Sequence, residues 1–302
     1  MIELMLAITN SGSIGKWTRL NSGQLPASEA GCIFAHGDYI YYLTGNVSVP
    51  STNNVLWRYT ISTATWTTIV CPLPHRQLRT CSKVNNKVYF FGGIPESTQV
   101  WQFDLLTETW LQLGNYLYPF YAGVSIAIGT DIYIAGGYSG SGNLPLNRFV
   151  RYNTLTDETT TLATLPRITY GPAVYSFNEN SLIITGGTDN LANTSDQNRL
   201  VYVIDTNRWT SNVMTGLLHP GGFTAFTQSK NLGYAFGGVF NRGLPSDQFD
   251  TFNALSYAPV PRTGSHPGAR TRSNMVYHDE ALYLFGGGND GSKLSDFWVW
   301  EE

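Results

Sequence analysis

The sequence predicts an all-β fold built from six copies of one four-stranded unit. Six runs of strand-forming apolar residues each end in a step of small residues, and the steps recur at a nearly constant interval. Counted from the first glycine of each step, the intervals are 47, 44, 50, 51 and 49 residues. A constant period of this size indicates one supersecondary unit repeated along the chain. The glycines of these steps are Gly45, Gly92, Gly93, Gly136, Gly137, Gly186, Gly187, Gly237, Gly238, Gly286 and Gly287.

The composition fits one globular domain rich in strands and turns. Of the 302 residues, 42% are hydrophobic and 14% aromatic, whereas 13% are charged. A repeat array can reach this length as one domain because each unit packs only on its neighbours. We therefore expect residues 14–302 to form one domain and residues 1–13 to form an N-terminal arm, which either docks on a partner or packs locally. The three cysteines are expected to be free thiols.

Charge and hydropathy narrow the classes of partner. The formal net charge of −3 gives no general attraction to nucleic acid, so no nucleic-acid partner is expected. The apolar stretch at residues 4–8 is too short for a membrane span or for the core of a signal peptide. We therefore expect a location in the cytoplasm or in a virus particle.

Each repeat begins with two strands joined by a short polar turn, and the second strand runs into the small-residue step. The turns consist mainly of Gly, Asn, Asp, Ser and Lys, residue types that tight hairpins accept. They lie at residues 36–38, 85–87, 129–131, 178–180, 229–231 and 278–280. This pattern predicts that the first half of each repeat is a β-hairpin.

The second half of each repeat carries an aromatic residue on one strand and a tryptophan on the next. Four antiparallel strands per repeat make a propeller blade. Because each large aromatic side chain can bury roughly 150–250 Å², these residues are expected to pack one blade on the next. The clearest pairs, seven residues apart, are Tyr59 with Trp66, Phe103 with Trp110, and Tyr202 with Trp209.

This combination of a hydrophobic strand, a Gly-Gly doublet and a spaced Tyr and Trp resembles the Kelch-repeat β-propeller family over nearly the whole chain. The resemblance implies a six-bladed Kelch-type β-propeller with four antiparallel strands per blade. Three blades depart from the pattern. The first has Gly45 followed by Asn46, which is expected to adopt the left-handed conformation in place of glycine. The third has Thr159 where Trp is expected, and the fifth has no clear pair around Phe249 and Phe252.

The two ends of the chain are expected to share the sixth blade. The last glycine step leaves room for one further strand, at residues 296–300, so this blade lacks its outer strand. Residues 16–20 contain Trp17 and have the pattern of an outer strand. Such a closure removes open sheet edges, which could otherwise pair with other chains.

Functional residues are expected on the face formed by the loops between second and third strands and between consecutive blades, since loops on a rigid scaffold carry function. Arginines and tyrosines that converge on a concave surface recognise carboxylates or sugars. Kelch propellers that this chain resembles bind acidic peptides with such residues on this face. The candidates at the mouth of the central channel are Glu29, Arg79, Tyr121, Tyr170 and Arg272, with Arg76, Arg167, Arg262, Arg270 and His219 nearby.

The sequence favours a non-enzymatic binding or assembly module that holds a protein or glycan partner and needs no cofactor. One alternative is a virion or cell-surface protein with a structural or receptor-binding role, because the loops are rich in Asn, Ser, Thr and Gly. Another is a sialic-acid-type sugar mutarotase, since such enzymes resemble this architecture and anomer exchange needs only a general acid, a general base and a carboxylate anchor. Glu29, Arg79 and Arg272 are the candidates for those roles.

The sequence lacks the residues that other classes of enzyme require. The chain has five histidines, and none follows an Asp by four residues, as the iron site of Kelch-type specifier proteins would require. No metal site can be assigned, and no Ser-His-Asp order, P-loop or Cys-x-x-Cys motif is present. Whether the chain is an enzyme stays open, and a binding role is favoured.

Overall fold

The described residues of the computed structural model form six four-stranded antiparallel sheets arranged as the blades of a propeller. The structure describes residues 15–23, 25–48, 55–140, 142, 144–189, 198–213, 222–240, 244–253, 259–261 and 266–301. The strands are β1 (Lys16–Leu20), β2 (Ser28–Glu29), β3 (Cys32–His36), β4 (Tyr39–Leu43), β5 (Asn46–Val47), β6 (Val55–Thr60), β7 (Thr65–Val70), β8 (Thr80–Val84), β9 (Lys87–Phe91), β10 (Gln99–Asp104), β11 (Thr109–Asn115), β12 (Val124–Ile128), β13 (Asp131–Ala135), β14 (Tyr138–Ser139), β15 (Leu144–Pro145), β16 (Phe149–Asn153), β17 (Glu158–Thr161), β18 (Tyr170–Asn178), β19 (Ser181–Thr188), β20 (Asn198–Val203), β21 (Arg208–Val213), β22 (Ala225–Gln228), β23 (Leu232–Phe236), β24 (Val239–Phe240), β25 (Leu244–Pro245), β26 (Phe249–Asn253), β27 (Pro259–Pro261), β28 (Asn274–His278), β29 (Ala281–Phe285), β30 (Gly288–Asn289), β31 (Ser292–Lys293) and β32 (Phe297–Glu301).

Blades 1 to 5 each run outward from the central channel in chain order. Blade 1 consists of β3, β4, β6 and β7, and blade 2 of β8 to β11. Blade 3 consists of β12, β13, β16 and β17, blade 4 of β18 to β21, and blade 5 of β22, β23, β26 and β27. Short two-stranded hairpins lie in the loops between second and third strands of blades 3, 5 and 6. The described part of the chain contains no helix that could span a membrane.

Blade 6 is completed by the N-terminal strand, which confirms the predicted closure. Its order from the channel is β28, β29, β32 and β1. Trp17 of β1 lies directly opposite Trp300 of β32, and the ring of Trp17 packs edge-on against Phe236 and Phe249 of blade 5 at 5.5 and 5.3 Å. The predicted arm at residues 1–13 lies outside the described residues.

The motif aromatics face each other across the third and fourth strands and pack on the preceding blade. Tyr59 lies opposite Trp66, their ring centroids are 5.0 Å apart, and Trp66 also lies 5.2 Å from Phe297 of blade 6. In blade 3 the predicted exception is seen, because Thr159 lies opposite Tyr152. In blades 2 and 4 the motif aromatics lie opposite each other as in blade 1, Phe103 with Trp110 and Tyr202 with Trp209. These residues therefore hold the blades together.

The Gly-Gly doublet is a contact between blades with no room for a side chain. Gly136 has a φ of +64°, and a Cβ built on it would lie 2.5 Å from the carbonyl oxygen of Thr169 in blade 4. The next residue, Gly137, donates its N–H to the same oxygen at 2.8 Å. The doublet is thus explained by close backbone approach.

In blade 1, the small-residue step lies one position earlier than the sequence predicted. Leu43 is the strand residue opposite Cys32, so the two residues that follow, Thr44 and Gly45, occupy the doublet positions. Asn46 comes one position later, in β5 opposite Glu29, and it is absent from the described residues with positive φ. The expectation that Asn46 takes a left-handed conformation is therefore wrong.

A closed ring of backbone hydrogen bonds joins the blades at one end of the channel. In the described residues six such bonds occur, each from the N–H of one blade to the carbonyl of the equivalent residue in the preceding blade, at 2.7–3.0 Å. Each ring residue has a φ between +53° and +63°. Hydrogen-bonded strands lie about 5 Å apart, so the ring is about 10 Å across. The ring residues are Ala30, Leu78, Ala122, Gly171, Phe223 and Arg272.

Candidate functional site

The loop face rises directly from this backbone ring. On each described blade, the residue before the ring residue pairs antiparallel with the residue after the small-residue step. These pairs define the channel mouth, and they fix its side chains to a rigid backbone frame. They are Glu29 with Asn46, Gln77 with Ile94, Tyr121 with Tyr138, Tyr170 with Thr188, Gly222 with Val239, and Thr271 with Gly288.

The five residues predicted at the mouth occupy three different levels of the channel. Glu29, Tyr121 and Tyr170 lie at equivalent positions of the mouth. Arg272 is one residue further on and is itself a member of the backbone ring. Arg79 follows the ring residue of blade 2 and lines the interior of the channel.

Four aromatic side chains form a continuous wall along the mouth on blades 3 to 5. Tyr121 contacts Tyr138 at 5.2 Å, Tyr138 contacts Tyr170 at 5.4 Å, and Tyr170 contacts Phe223 at 5.7 Å between ring centroids. Burial raises the pKa of Tyr121 and Tyr170, so both hydroxyls stay protonated at neutral pH. This aromatic wall can stack on planar or apolar groups and hydrogen-bond polar ones.

The wall continues into a charged end on blades 6 and 1. The guanidinium of Arg272 lies over the ring of Phe223, 4.8 Å from its centroid. One of its nitrogens lies 3.6 Å from Oε2 of Glu29, and Oε1 of Glu29 accepts a hydrogen bond from the Asn46 amide at 2.9 Å. The contacts form one arc from Tyr121 to Asn46, apolar at one end and ionic at the other.

A cleft of about 360 Å³ opens beside the charged end, between the hairpins of blades 5 and 6. Leu244 and Pro245 line one side, and Glu29, Thr271 and Arg272 line the floor. Leu244 is 65% exposed. The buried Oγ1 of Thr271 and Nε of Arg272 have no hydrogen-bond partner among the described residues. The cleft therefore offers an apolar side and unsatisfied polar atoms within one volume.

Two further candidate arginines hold loops in place. Arg76 donates hydrogen bonds to the carbonyl oxygens of Pro95 and Glu96, and Arg167 donates to the carbonyl oxygen of Gly186 at 2.9 Å. The candidates His219 and Arg262 lie outside the described residues. No group of three His, Cys, Asp or Glu side chains that could hold a metal occurs in the described part of the chain.

Arg270 has a different place from the one the sequence suggested. Its side chain is buried and makes a two-bond ion pair with Asp296, with both N to O distances at 2.9 Å. It also donates to the carbonyl oxygens of Gly286 and Gly268 at 3.0 and 2.9 Å. Because four of its five N–H donors are occupied within its own blade, Arg270 holds the fold together at this position and does not line the channel mouth.

Sequence reasoning missed Tyr138, Phe223 and Asn46, which complete the arc. Tyr138 and Asn46 are the residues that follow the small-residue step, and this position faces the mouth in each described blade. Phe223 occupies a ring position. A search for large or polar residues directly after the doublet would have found Tyr138.

Comparison with known proteins agrees with this architecture. The family model for the KLHDC2/KLHL20/DRC7 Kelch-repeats domain matches residues 31–238, which include the aromatic wall. The Kelch-like protein terF of Aspergillus terreus (strain NIH 2624 / FGSC A1156) is 25% identical to the chain over an alignment of 323 residues. That alignment covers 93% of this chain and 66% of the relative, so the chain spans just under two thirds of the relative's length.

Proposed function

The chain belongs to the Kelch-repeat family, and we propose that it is a non-enzymatic binding module that holds a protein partner on the loop face of its propeller. The arc of Tyr121, Tyr138, Tyr170, Phe223 and Arg272 carries this proposal. Tyrosine and arginine are among the residue types enriched in the energetically dominant centres of protein interfaces. Here they lie side by side on a rigid frame.

The arc favours a partner segment with two kinds of group. An apolar or aromatic group of the partner packs on the aromatic wall. A carboxylate or carbonyl group reaches Arg272, whose Nε has no partner among the described residues. Because the backbone ring holds the mouth in place, little ordering of the propeller is needed on binding, which favours affinity.

The aromatic wall also suits the faces of sugar rings, so a glycan partner is the second outcome that the experiment must separate. The virion and cell-surface roles and the sugar mutarotase remain predictions of the sequence alone. A mutarotase would show turnover of a small sugar acid, which a binding module would not.

The proposal is tested by quantitative capture of proteins from a lysate on the immobilised chain. The test variant combines Tyr121→Ser with Arg272→Gly, because glycine readily adopts the positive φ of this ring position. We expect at least one protein to be retained about tenfold less by this variant, since truncation of a central interface residue typically costs more than 1 kcal/mol. The matched control is Arg208→Ala, which removes an exposed arginine on the opposite face.

Equal retention of every protein by the test variant and the unmodified chain would contradict the proposal, provided that both unfold at the same temperature. A parallel glycan array, read with the same two variants, separates the protein partner from a glycan. Anomer exchange of a sugar acid observed by proton NMR would instead favour the mutarotase.

A further inference from the structure

The axial channel contains a cavity below the backbone ring. Its volume is about 490 Å³, and the innermost strands or the residues just before them line it from all six blades. In the described residues, these strands pair only with the second strand of their own blade. The packing of the blades therefore sets the volume of the cavity, and this volume falls within the range of small-molecule binding sites.

The charge of this cavity is unbalanced. Arg79 and Lys83 are the charged side chains among the described residues that line it, and both are cations. Lys83 lies on the inner strand of blade 2 and Arg79 directly before it, and both line the cavity. No acidic side chain occurs in the described lining of the cavity.

Neither cation has an acidic partner among the described residues. Arg79 donates to the carbonyl oxygen of Pro74 at 3.0 Å, and its buried Nε has no described partner. The thiols of Cys32, Cys71 and Cys81 and the guanidinium of Arg76 lie around it. Lys83 donates to the carbonyl oxygen of Ala35 at 2.7 Å. Burial lowers the pKa of both Arg79 and Lys83, so their charged forms are disfavoured without an anion.

An unsatisfied hydroxyl borders the same space. The side chain of Ser273 lines the cavity, the residue is 7% exposed, and its Oγ has no hydrogen-bond partner among the described residues. Other hydroxyls of the lining are already engaged, since Thr80 and Ser82 each bond the Oγ of Ser125 at 2.8 Å. A buried donor without a partner costs free energy that a ligand oxygen would recover.

We propose that the axial cavity binds a small anion that carries a phosphate-type oxyanion group, attracted by the two cations of its lining, Arg79 and Lys83. The anion supplies the missing negative charge and the acceptor oxygens for the free donors. It reaches the cavity from the end opposite the backbone ring, because the ring and the side chains of Leu78, Phe223 and Arg272 narrow the other end.

The turns between first and second strands surround the open end, and their charged side chains carry both signs. His36 lies close to Lys83 and His278, and burial followed by these two neighbours lowers the pKa of His36. His278 contacts the carbonyl oxygen of Gly37 at 2.6 Å and the carboxylate of Asp279 at 3.3 Å. The Asp279 side chain is 80% exposed, so solvent screens its charge from the cavity.

Thermal unfolding and calorimetric titration of the full chain test the proposal, with inorganic phosphate and glucose 6-phosphate as separate probes and sodium chloride at matched ionic strength as the reference. We expect a saturable rise in Tm with at least one probe. The two probes distinguish free phosphate from a phosphorylated organic ligand. In Arg79→Gln, and separately in Lys83→Gln, the affinity falls by about tenfold or more, because each change removes one of the two cations of the described lining.

The matched control is Arg208→Gln, which removes an exposed arginine of the outer strand of blade 4 that does not line the cavity and should leave the affinity unchanged. Lys83→Gln provides a second variant in case Arg79→Gln fails to fold. The proposal is overturned if neither probe raises the Tm of the unmodified chain beyond the chloride reference, or if a folded Lys83→Gln variant responds as strongly as the unmodified chain.

Discussion

Arg270 and Arg272 are two residues apart on the same loop, yet they have opposite roles. Arg270 is 1% exposed and is enclosed by hydrogen bonds from its own blade. The side chain of Arg272 is 38% exposed and faces the channel mouth. The difference shows that an arginine in a functional loop can be part of the structure, and that the burial and pairing of its side chain separate the two roles.

The two arginines form ion pairs that differ in geometry and in exposure to solvent. Arg270 meets Asp296 through two parallel hydrogen bonds, a geometry in which removal of one partner leaves a buried charge uncompensated. Arg272 meets Glu29 at 3.6 Å in contact with solvent, where screening reduces the stabilisation by an ion pair. The first pair is therefore expected to stabilise the fold, and the second leaves Arg272 available to a partner.

The largest expected effect comes from Arg270→Ala. The free energy of unfolding should fall by about 3–5 kcal/mol, because the carboxylate of Asp296, whose side chain is 15% exposed, is left largely buried without its counter-charge. Denaturant unfolding followed by tryptophan fluorescence measures the change. The double variant Arg270→Ala/Asp296→Ala is the control and should be more stable than Arg270→Ala alone. A loss below about 1 kcal/mol in Arg270→Ala would remove the distinction between the two arginines.

The second expected effect is that the stabilisation by the ion pair of Arg270 and Asp296 depends on pH. Burial of Asp296 by itself raises the pKa of its carboxyl, but the hydrogen bonds and charge of Arg270 outweigh this effect and hold the pKa below its ordinary value of 3.8. A carboxyl with a lowered pKa stabilises the folded state above its unfolded-state pKa, and this stabilisation is lost as the pH falls through the folded-state value.

Without Arg270, burial leaves the carboxyl of Asp296 with a raised pKa in the folded variant. The difference in unfolding free energy between the unmodified chain and Arg270→Ala should therefore be constant at pH values well above that raised pKa, and should narrow as the pH falls through it. Urea unfolding at a series of pH values measures it. A difference that widens on acidification would show that the pair does not depend on the ionised carboxylate.

The smallest effect is expected for Arg272→Gly. Loss of the half-exposed pair with Glu29 should change the free energy of unfolding by less than about 1 kcal/mol, and glycine relieves the positive φ of +55° at this position. Denaturant unfolding under the conditions used for Arg270→Ala gives the direct comparison. A loss as large as that of Arg270→Ala would mean that Arg272 stabilises the ring rather than serving a partner.

Much of the fold could be predicted because its signals are local. The hairpin turns, the small-residue steps and the spaced aromatics each lie within a few residues, and their recurrence fixes six units. The error in blade 1 has a physical origin. Glycine at position 45 was taken as the first residue of the step, whereas the pairing of Leu43 with Cys32 makes Thr44 the first.

The candidate site could be predicted only in part. Glu29, Tyr121 and Tyr170 were found because the starts of the inner strands could be aligned, but a shift of one residue in a strand turns a side chain to the other face. The sequence alignment of the inner strands was one or two residues out of register in blades 2 and 6, and it therefore predicted Arg79 and Arg272 at the mouth. Tyr138 and Phe223 were missed because their positions matter only through contacts between blades.

The sequence by itself determined the six-bladed architecture, the strand order and the closure by Trp17, since these depend on repeated local patterns and on the lengths of the two chain ends. The tertiary structure alone decided which cations meet an acid, which face the mouth and which line an unbalanced cavity. The physical reason is that the environment of a side chain is set by residues of neighbouring blades. The partners of Arg270, Arg272 and Arg79 become neighbours only when the ring is closed.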